Sequence, residues 1–335
     1  MKPIRFTTLA IVVILLAACA GSSPEPVNAP SVEFTSTPRP IASSTEEPTE
    51  TPIPETTSIV VTDSAGNEFT LEQPAERIVS LAPSNTEILF ALGAGAQVVA
   101  RDTFSDFPAE ATAITDIGGG FGELDMETVL ALDPDLILAA DISPPEQIAA
   151  LEELGLPVFL LGNPVTLDGL MSNLRTVGLL TGRQDAAETL VADLERRVEA
   201  VLAATSDIED VPLVFYELDS TDPSAPWTSG EGTFVDTIIT MAGGENLGRV
   251  LEDAWAQISI EELIEQDPDV IVLGDAVWGG ITVEAVAARS GWENLTAVRE
   301  DRVYPFDDNL VSRPGPRMVD GLEEIARLLH PDRFE

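Results

Sequence analysis

An internal repeat restricts the fold of this sequence more than any other feature. Residues 124–141 read LDMETVLALDPDLILAAD, and residues 258–275 read ISIEELIEQDPDVIVLGD. Each copy indicates a short helix, an Asp-Pro-Asp turn and a buried strand. A second pair, EILFALGAG and TIITMAGGE, indicates two helices that end in Gly93 and Gly243, each suited to a left-handed C-cap. The repeats therefore predict two similar halves.

A long helix is predicted between these halves, over residues 183–206. Its charged residues take one face, its apolar residues recur at helical spacing on the other, and no glycine or proline interrupts it. The apolar residues are Ala187, Leu190, Val191, Leu194, Val198, Val201 and Leu202. With a rise of about 1.5 Å per residue, the helix is roughly 30 Å long and can join two lobes without a flexible hinge. An ordinary surface helix is the alternative interpretation.

Strand and helix patterns alternate through the rest of the folded part. A hairpin signal, SIVVTD-SAGN-EFTL, starts at Ser58, with Gly66 and Asn67 in its turn. Buried strands are predicted at 77–81, 97–100, 136–139, 158–161, 213–216, 270–273 and 302–304. Helices are predicted at 85–92, 126–132, 145–154, 167–180, 233–241, 260–266, 283–289 and 317–329. This alternation predicts an α/β fold with two Rossmann-like lobes, each built on a parallel sheet and bridged by the long rigid helix. The predicted boundaries are 58–165 for the first lobe, 166–208 for the linking helices and 209–335 for the second lobe.

The amino-terminal segment, residues 1–19, is predicted to be a lipoprotein signal peptide. Lys2 and Arg5 precede an apolar run that is too short to be a comfortable membrane span. The motif LAAC ends at Cys19 and resembles a bacterial lipobox, in which the cysteine is lipidated. An ordinary cleaved secretory peptide is the alternative. Residues 20–57 are rich in Pro, Ser, Thr and Glu and are predicted to form a disordered linker.

The charge of the chain limits its partners. Its 335 residues include 58 acids and 17 bases, which gives a formal net charge of -41, and no lysine follows Lys2. Such a surface repels nucleic acid and anionic membranes, so neither is an expected partner. Solubility or adaptation to salt is the simplest explanation of the acidity itself.

Few residues are available for catalysis or for metal binding. Cys19 and His330 are the only cysteine and the only histidine, which excludes disulfides, Cys/His zinc sites and Ser-His arrangements unless His330 is recruited. The glycine-rich segment 118–122 lacks a lysine and the spacing of a phosphate-binding loop. We therefore predict that the protein is not an enzyme and has neither a metal site nor a resident cofactor.

Four segments in order carry a resemblance to a known family. They are RIVSLAPSNTEILFALGAG at 77–95, the paired repeats, APWTSG at 225–230 and SRPGPRMVDGLEEIA at 312–326. Over residues 58–335 the chain resembles the iron-siderophore and cobalamin class of substrate-binding proteins that serve ABC importers. Its long APWTSG and AWAQIS segments are most similar to those of cobalamin-binding members. The resemblance implies two α/β lobes that flank a ligand cleft and are bridged by one rigid helix.

The resemblance also implies that one exposed glutamate on each lobe docks on the ABC permease and meets arginines of the membrane subunits. The matching residues are Glu127 and Glu261, each in the first turn of a repeated helix. The alternative is that they only stabilise the helix starts, because acids there complement the helix dipole. A capping box of Ser259 and Glu262, and a cap by Asp125, leave the two docking candidates without a capping role.

The ligand cleft is expected at the carboxyl ends of the strands, where the lobes face each other. By match to cobalamin-binding members, the resemblance places Phe104 and Phe121 on the first lobe. It places Trp227 and Trp255 in loops of the second lobe. Flat aromatic side chains suit a large planar ring, and packing in the core or within loops is the alternative for each of them.

Further candidates for the cleft are Tyr216, Tyr304, Asp307, Asp308 and Arg313. Haem-binding relatives use Tyr or His as an axial ligand, so Tyr216 and Tyr304 are the candidates for that role. A lone Arg313 argues against a strongly anionic catecholate complex, which needs several cations. The structural alternative for Arg313 and Arg317 is that they hold the RPGPR turn. At Ala140 the chain departs from cobalamin-binding members, which place an aromatic residue there, and this departure also fits a ligand of different shape.

The sequence thus predicts a monomeric extracytoplasmic receptor that is anchored to the cell membrane only through lipidated Cys19. It is expected to capture a large metal-containing ligand between two lobes and to present it to an ABC permease. Cobalamin is the first expectation, a ferric siderophore the second and haem the third. A lipid-anchored sensory or adhesion module on the same fold is the alternative function.

Overall fold

The computed structural model describes residues 58–120 and 122–334. The predicted signal peptide with Cys19, the predicted linker 20–57 and Phe121 lie outside these ranges, and what was said of them stays a prediction. Within the described ranges, no helix has both the length and the apolar character needed to cross a membrane.

Helices and strands alternate after an amino-terminal hairpin. The strands are β1 (Ile59–Thr62), β2 (Glu68–Leu71), β3 (Ile78–Ser80), β4 (Val98–Arg101), β5 (Thr115–Asp116), β6 (Leu136–Ala140), β7 (Val158–Leu161), β8 (Leu213–Glu217), β9 (Trp227–Ser229), β10 (Glu245–Asn246), β11 (Trp255–Gln257), β12 (Val270–Leu273) and β13 (Val303–Pro305). The helices are α1 (Pro83–Ala91), α2 (Met126–Ala131), α3 (Pro145–Glu153), α4 (Leu167–Thr181), α5 (Gln184–Thr205), α6 (Phe234–Met241), α7 (Ile260–Gln266), α8 (Val283–Ala287), α9 (Thr296–Arg299), α10 (Asn309–Ser312) and α11 (Met318–Leu329). The hairpin of β1 and β2 is antiparallel and contains Gly66 in its turn with a φ of 86°, as the sequence predicted.

Two sheets with only parallel pairs form the centres of the two lobes. The first has the strand order β5-β4-β3-β6-β7, and the second has the order β10-β8-β12-β13. Every residue of β3, β6 and β12 is buried, which is typical of parallel strands that are covered by helices on both faces. The predicted α/β fold with two parallel sheets is confirmed. The strand order reverses between β3 and β6 in the first sheet and between β8 and β12 in the second, in each case beside the strand that comes first in the sequence. Open α/β sheets bind ligands at such points.

The repeated Asp-Pro-Asp turns fix the alignment of these central strands. The first aspartate of each turn has a left-handed backbone, with φ of 46° at Asp133 and 47° at Asp267. The carboxylate of Asp135 accepts hydrogen bonds of 2.8 and 2.9 Å from the backbone N–H groups of the two residues that precede β3. In the second lobe, the carboxylate of Asp269 accepts a bond of 2.8 Å from the first residue of β8. Each repeat therefore ties its own strand to the first strand of the sheet.

The predicted linking helix is α5, which has 22 residues and no break. With a rise of about 1.5 Å per residue it spans roughly 33 Å. It packs against α4, which follows the first sheet, and against α11, which follows the second. Arg175 of α4 pairs with Glu188 at 3.1 Å, and Arg197 pairs with Glu323 of α11 at 2.8 Å. The helix therefore joins the lobes as a continuous rod with ion pairs to both sides.

Two segments that were expected to be loops form a two-stranded ribbon instead. Strands β9 and β11 pair in antiparallel fashion, with Trp227 opposite Gln257 and Trp255 opposite Ser229. Behind them Thr228 is fully buried and donates a hydrogen bond of 2.7 Å to the carbonyl oxygen of Tyr216 in β8. The prediction of loops was wrong because both segments are short and polar, and because their pairing joins residues that are far apart in the sequence.

We expect Asp135→Asn to destabilise the fold more than Asp269→Asn. Asp135 uses both carboxylate oxygens as acceptors, so an amide would place one N–H group against another, whereas Asp269 uses one oxygen that asparagine keeps. The expected loss of unfolding free energy is about 1–2 kcal/mol for Asp135→Asn and at most about half of that for Asp269→Asn, measured by urea unfolding. Asp210→Asn serves as the control, because this residue is exposed and its side chain makes no hydrogen bond within the described ranges. Equal losses for the two turn variants would contradict this mechanism.

Candidate ligand-binding cleft

A cavity of about 660 Å³ lies where the carboxyl ends of the two sheets meet. The first lobe lines it with residues that follow β3, β4, β6 and β7. The second lobe lines it with residues from β9 and with residues that follow β8, β12 and β13. The cavity thus lies beside the reversal of strand order in both sheets, where the sequence analysis expected a ligand.

Three aromatic side chains of the described part of the chain line the cavity. Phe104, which is 45% exposed, follows β4, Trp227, which is 40% exposed, lies on β9, and Trp278, which is 56% exposed, follows β12. Large exposed rings in a concave site offer flat apolar surface to a ligand. Gly120 leaves room for the Phe104 ring, because a Cβ atom at this glycine would lie 2.6 Å from it. The structure therefore brings the predicted Phe104 and Trp227 to one site.

Trp278 was missed by the sequence analysis. It stands in the segment DAVWGG directly after the buried strand β12. Its sequence context could have identified it as a cleft residue. It is a large aromatic residue beside two glycines in a loop after a parallel strand, and loops at that end of the sheet commonly bind ligands. Ala140, where an aromatic residue was expected in cobalamin-binding members, is 1% exposed at the end of β6 and does not line the cavity, whereas Ile142 does.

Trp255 does not line the cavity, which differs from the prediction. The ribbon register places Trp227 and Trp255 on the same face, because residues that are directly opposite, and residues two apart, share a face. The Trp255 ring packs against Phe234 at the start of α6, with ring centroids 5.4 Å apart. Trp255 therefore extends the aromatic face of the ribbon beyond the cavity instead of forming its wall.

Tyr216 is a support for the cavity and does not line it, which corrects the prediction. Its side chain is fully buried and packs edge-on against Phe306, with ring centroids 6.1 Å apart. Its hydroxyl group donates a hydrogen bond of 2.6 Å to Asp308, which does line the cavity. Burial raises the pKa of Tyr216 well above its usual value, and the neighbouring Asp308 carboxylate adds to this shift. The ring was misplaced by the sequence analysis because its strand, β8, lies in the middle of the sheet.

Arg313 and Arg317 connect the two lobes. Arg313 lines the cavity, and its guanidinium group donates to Asp106 and lies 3.6 Å from Glu87. Arg317 donates to both carboxylate oxygens of Glu87, at 2.8 and 2.5 Å, and lies over the ring of Phe107 with 4.0 Å to its centroid. Both arginines stand on the second lobe and bind α1 or the loop after β4 on the first. Both arginines therefore have a structural role, which is to hold the two lobes together.

Glu87 is the buried partner of both arginines. Its residue is 3% exposed, and burial raises its pKa, an effect that the guanidinium groups of Arg317 and Arg313 oppose. A carboxylate at this depth needs charged partners to remain in place, because an unpaired buried charge is strongly unfavourable.

The cavity has more acidic than basic side chains. Asp102, Asp219 and Asp308 line it, and Arg313 is the one basic residue among the described residues of its lining. Burial raises the pKa of Asp102 and of Asp308. Because the guanidinium group of Arg313 is already bound by Glu87 and Asp106, the described lining holds no cation that is available to an anionic ligand.

The two docking candidates lie away from the cavity, in the first turns of α2 and α7. The predicted caps are present: Asp125 accepts from the backbone N–H of Thr128, and Ser259 accepts from that of Glu262. Glu127 and Glu261 are exposed, and within the described residues their carboxylates form no ion pair or hydrogen bond.

Comparison with known proteins places the chain in a family. The profile of the family described as periplasmic binding protein matches residues 78–310. The chain is 30% identical over 286 residues to YvrC of Bacillus subtilis, an uncharacterized ABC transporter substrate-binding lipoprotein, covering 84% of this chain and 88% of that protein. It is 31% identical over 274 residues to a cobalamin-binding protein of Halobacterium salinarum, covering 80% and 73% respectively. The solved structure of the periplasmic haem-binding protein RhuT from Roseiflexus sp. RS-1 matches with a TM-score of 0.69 and 29% identity, over 78% of this chain and all of that one.

The chain belongs to the periplasmic binding protein family, which confirms the resemblance inferred from its motifs. Its fold, with two parallel sheets, is similar to that of the solved relative. Family, fold and cleft together define a substrate-binding protein.

We expect Arg317→Met to destabilise the fold by about 3 kcal/mol, because it leaves the buried Glu87 carboxylate with Arg313 alone. The loss should be smaller at about pH 4 than at about pH 7.5, because Glu87, whose pKa is raised, takes up a proton in the fold at low pH and the cost of its buried charge appears only as pH rises through that pKa. Urea unfolding at both pH values measures this difference.

The matched control is Arg327→Met, which breaks an exposed pair with Glu323 and should cost less than about 1 kcal/mol. The double variant Glu87→Gln with Arg317→Met removes both charges and should recover part of the loss. If Arg317→Met and Arg327→Met unfold alike, the contact between the lobes does not carry the stability assigned to it.

Proposed function

We propose that this protein is the substrate-binding component of an ABC importer and that its ligand is cobalamin or a related corrinoid. The observation that carries this proposal is a cavity of about 660 Å³ with three aromatic side chains and no available cation in its described lining. A corrin is a large, flat macrocycle, and cyanocobalamin carries no net charge. Both properties fit walls of this kind.

The charges of the cavity disfavour the anionic alternatives. Ferric catecholates and the propionates of haem carry negative charges, for which guanidinium and ammonium groups are the strongest partners. The described lining holds three carboxyl groups and one basic side chain, Arg313, which is already paired with other acids. An anion would therefore enter a site that repels it, whereas a neutral or cationic ligand would not.

Similarity to known proteins supports both the proposal and its main alternative. The cobalamin-binding protein of Halobacterium salinarum, at 31% identity, supports a corrinoid ligand. The haem-binding protein RhuT, at 29% identity, favours haem as the second candidate. Haem would require an axial ligand, and Tyr216, the candidate from the sequence, is fully buried. Neither Tyr216 nor Tyr304 lines the cavity, which makes haem the weaker candidate.

The proposed site of action is the outer face of the cell membrane. The lipobox-like motif at Cys19 and the lipoprotein relative YvrC support a lipid anchor. Docking on the membrane subunits of the permease would use Glu127 and Glu261, one from each lobe. Both carboxylates are exposed and without a described partner, as a contact made only in a complex requires.

Calorimetric titration of the full chain in detergent tests the ligand. We expect cyanocobalamin to bind one to one with a Kd of about 1 μM or less, which corresponds to about 8 kcal/mol of binding free energy. Trp227→Ala should weaken binding roughly tenfold or more, because Trp227 lines the cavity. Trp255→Ala, on the same face of the ribbon but outside the cavity, should change the Kd by less than about threefold.

Titration with haem and with a ferric hydroxamate provides the comparison. Tighter binding of haem than of cyanocobalamin would overturn the corrinoid proposal in favour of the second candidate. Binding of the hydroxamate alone would retain the receptor role and move the ligand to the siderophores.

Uptake of labelled cyanocobalamin by cells that carry variants of this protein tests the transport role. Charge reversal by Glu127→Arg together with Glu261→Arg should lower uptake at least about tenfold, because opposite charges across such an interface set orientation and encounter rate. The Kd for the ligand should stay unchanged. Glu146→Arg, an exposed residue in the first turn of α3, is the matched control. Unchanged uptake in the double variant would favour a sensory or adhesion role over transport.

A further inference from the structure

Each lobe exposes a large aliphatic side chain at the same position of the internal repeat. Leu130 on α2 is 44% exposed, and Ile264 on α7 is 41% exposed. In the aligned repeats these two residues correspond to each other, three residues after Glu127 and Glu261 respectively. Residues three apart on a helix lie on neighbouring positions of one face. Each lobe therefore presents a carboxylate with an aliphatic group beside it, and we call each such pair an acid-aliphatic pair.

The core does not explain these two residues. At the preceding position of the repeat, Val129 and Leu263 are fully buried, so the apolar character of that position follows from packing. Leu130 and Ile264 lie mainly outside the core and keep a large part of their apolar surface in water. A single exposed aliphatic residue is ordinary on a protein surface. Its recurrence at the equivalent place of two lobes is the feature that needs a cause.

General similarity between the two helices does not explain the recurrence either. The other outward positions differ in chemistry: Thr128 corresponds to Glu262, and Ala131 corresponds to Glu265. Between the cap and the Asp-Pro-Asp turn, the exposed positions at which α2 and α7 carry the same kind of residue are those of the acid-aliphatic pairs. The agreement is therefore confined to one patch on each lobe.

The equivalence of the two patches indicates the symmetry of the partner. Helices α2 and α7 precede β6 and β12, which occupy the same place in their sheets, next to the first strand. Two like patches on one chain fit a partner that presents the same surface twice, as a pair of like subunits does. The carboxylates, which have no partner among the described residues, fit a cation on each partner surface, and the aliphatic groups fit an apolar recess beside it.

We propose that Leu130 and Ile264 insert into apolar recesses on the two membrane subunits of the ABC permease, each beside the cationic group that meets Glu127 or Glu261. This inference rests on the proposed transport function and adds to it the residues that hold the complex together. The carboxylates set the orientation of docking. The aliphatic side chains, once removed from water, supply the affinity that exposed ion pairs do not.

Cross-linking from single cysteines tests the contact directly. No cysteine follows Cys19 in the sequence, so Leu130→Cys and Ile264→Cys each introduce one thiol into the folded part. The full chain is expressed in its own cells, treated with a short thiol-reactive photocross-linker, and the adducts are identified by mass spectrometry. The unmodified chain reports any adduct through Cys19. Leu202→Cys on α5 is the matched control, because Leu202 is a helical residue that is also 41% exposed.

We expect both introduced thiols to form adducts with membrane subunits of one ABC permease, and Leu202→Cys to form none. Adducts with unrelated proteins, no adducts, or equal adducts at Leu202 would overturn the proposal. The identity of the cross-linked subunit does not depend on which ligand is carried, so a failed cobalamin titration leaves this test valid.

Uptake measurements give the size of the effect. The double variant Leu130→Ser with Ile264→Ser should lower uptake of labelled cyanocobalamin roughly tenfold at a limiting amount of the protein, and Leu202→Ser should change it less than about twofold. Ligand Kd and thermal unfolding of the double variant should match the unmodified chain, because neither residue lines the cavity or belongs to the core. Uptake equal to that of Leu202→Ser would contradict the proposed contact. If cells lacking the protein take up cyanocobalamin normally, the corrinoid proposal is the part that fails, and the cross-links decide the docking surface.

Discussion

The burial of Glu87 between Arg313 and Arg317 is the interaction on which the shape of the cleft depends. The carboxylate stands on α1 of the first lobe and both cations stand on the second. Moving the lobes apart would leave a charge at 3% exposure without its partners, which is strongly unfavourable. Helix α5 adds a second constraint, because an unbroken helix of 22 residues has no hinge. Both features favour a cavity that is largely formed before the ligand arrives and closes only slightly around it.

The same ion pairs bear on the proposed ligand. Arg313 lines the cavity, yet its guanidinium group is held by Asp106 and lies near Glu87, so holding the lobes together and binding an anion compete for one side chain. The carboxyl group of Asp308 is likewise held by a buried donor, the hydroxyl group of Tyr216. Groups fixed in this way orient a ligand through polar contacts but do not neutralise a charge on it. The aromatic side chains then offer the main apolar surface for a ligand, and this is the basis on which we propose a flat neutral macrocycle instead of haem or a catecholate complex.

Features that depend on local periodicity could be predicted from the sequence, and features that depend on distant contacts could not. In the sequence, helix α5 is visible as an apolar pattern of period 3.6, and the buried strand β12 is visible as a short apolar run. The pairing of Trp227 with Gln257 across the ribbon has no local signal, so these residues were placed in loops. Tyr216 was placed in the cleft by the family resemblance, and its hydrogen bond to Asp308 has no local signal because Asp308 is far away in the sequence. The caps at Asp125 and Ser259 were predicted because a cap is set by neighbouring residues.

The two lobes differ in the residues that line the cavity and agree in two exposed residues on α2 and α7. Around the cavity they differ: among the described residues the first lobe contributes Phe104 on a loop, whereas the second contributes Trp278 on a loop and Trp227 on the ribbon of β9 and β11. A ligand held between two walls has two different sides, so nothing requires those walls to match. On α2 and α7 the lobes agree in one exposed acid and one exposed aliphatic residue while their neighbours differ. The proposed partner with two like subunits accounts for the agreement on these helices, whereas the two different sides of a ligand account for the difference at the cleft, so the two features have separate physical causes.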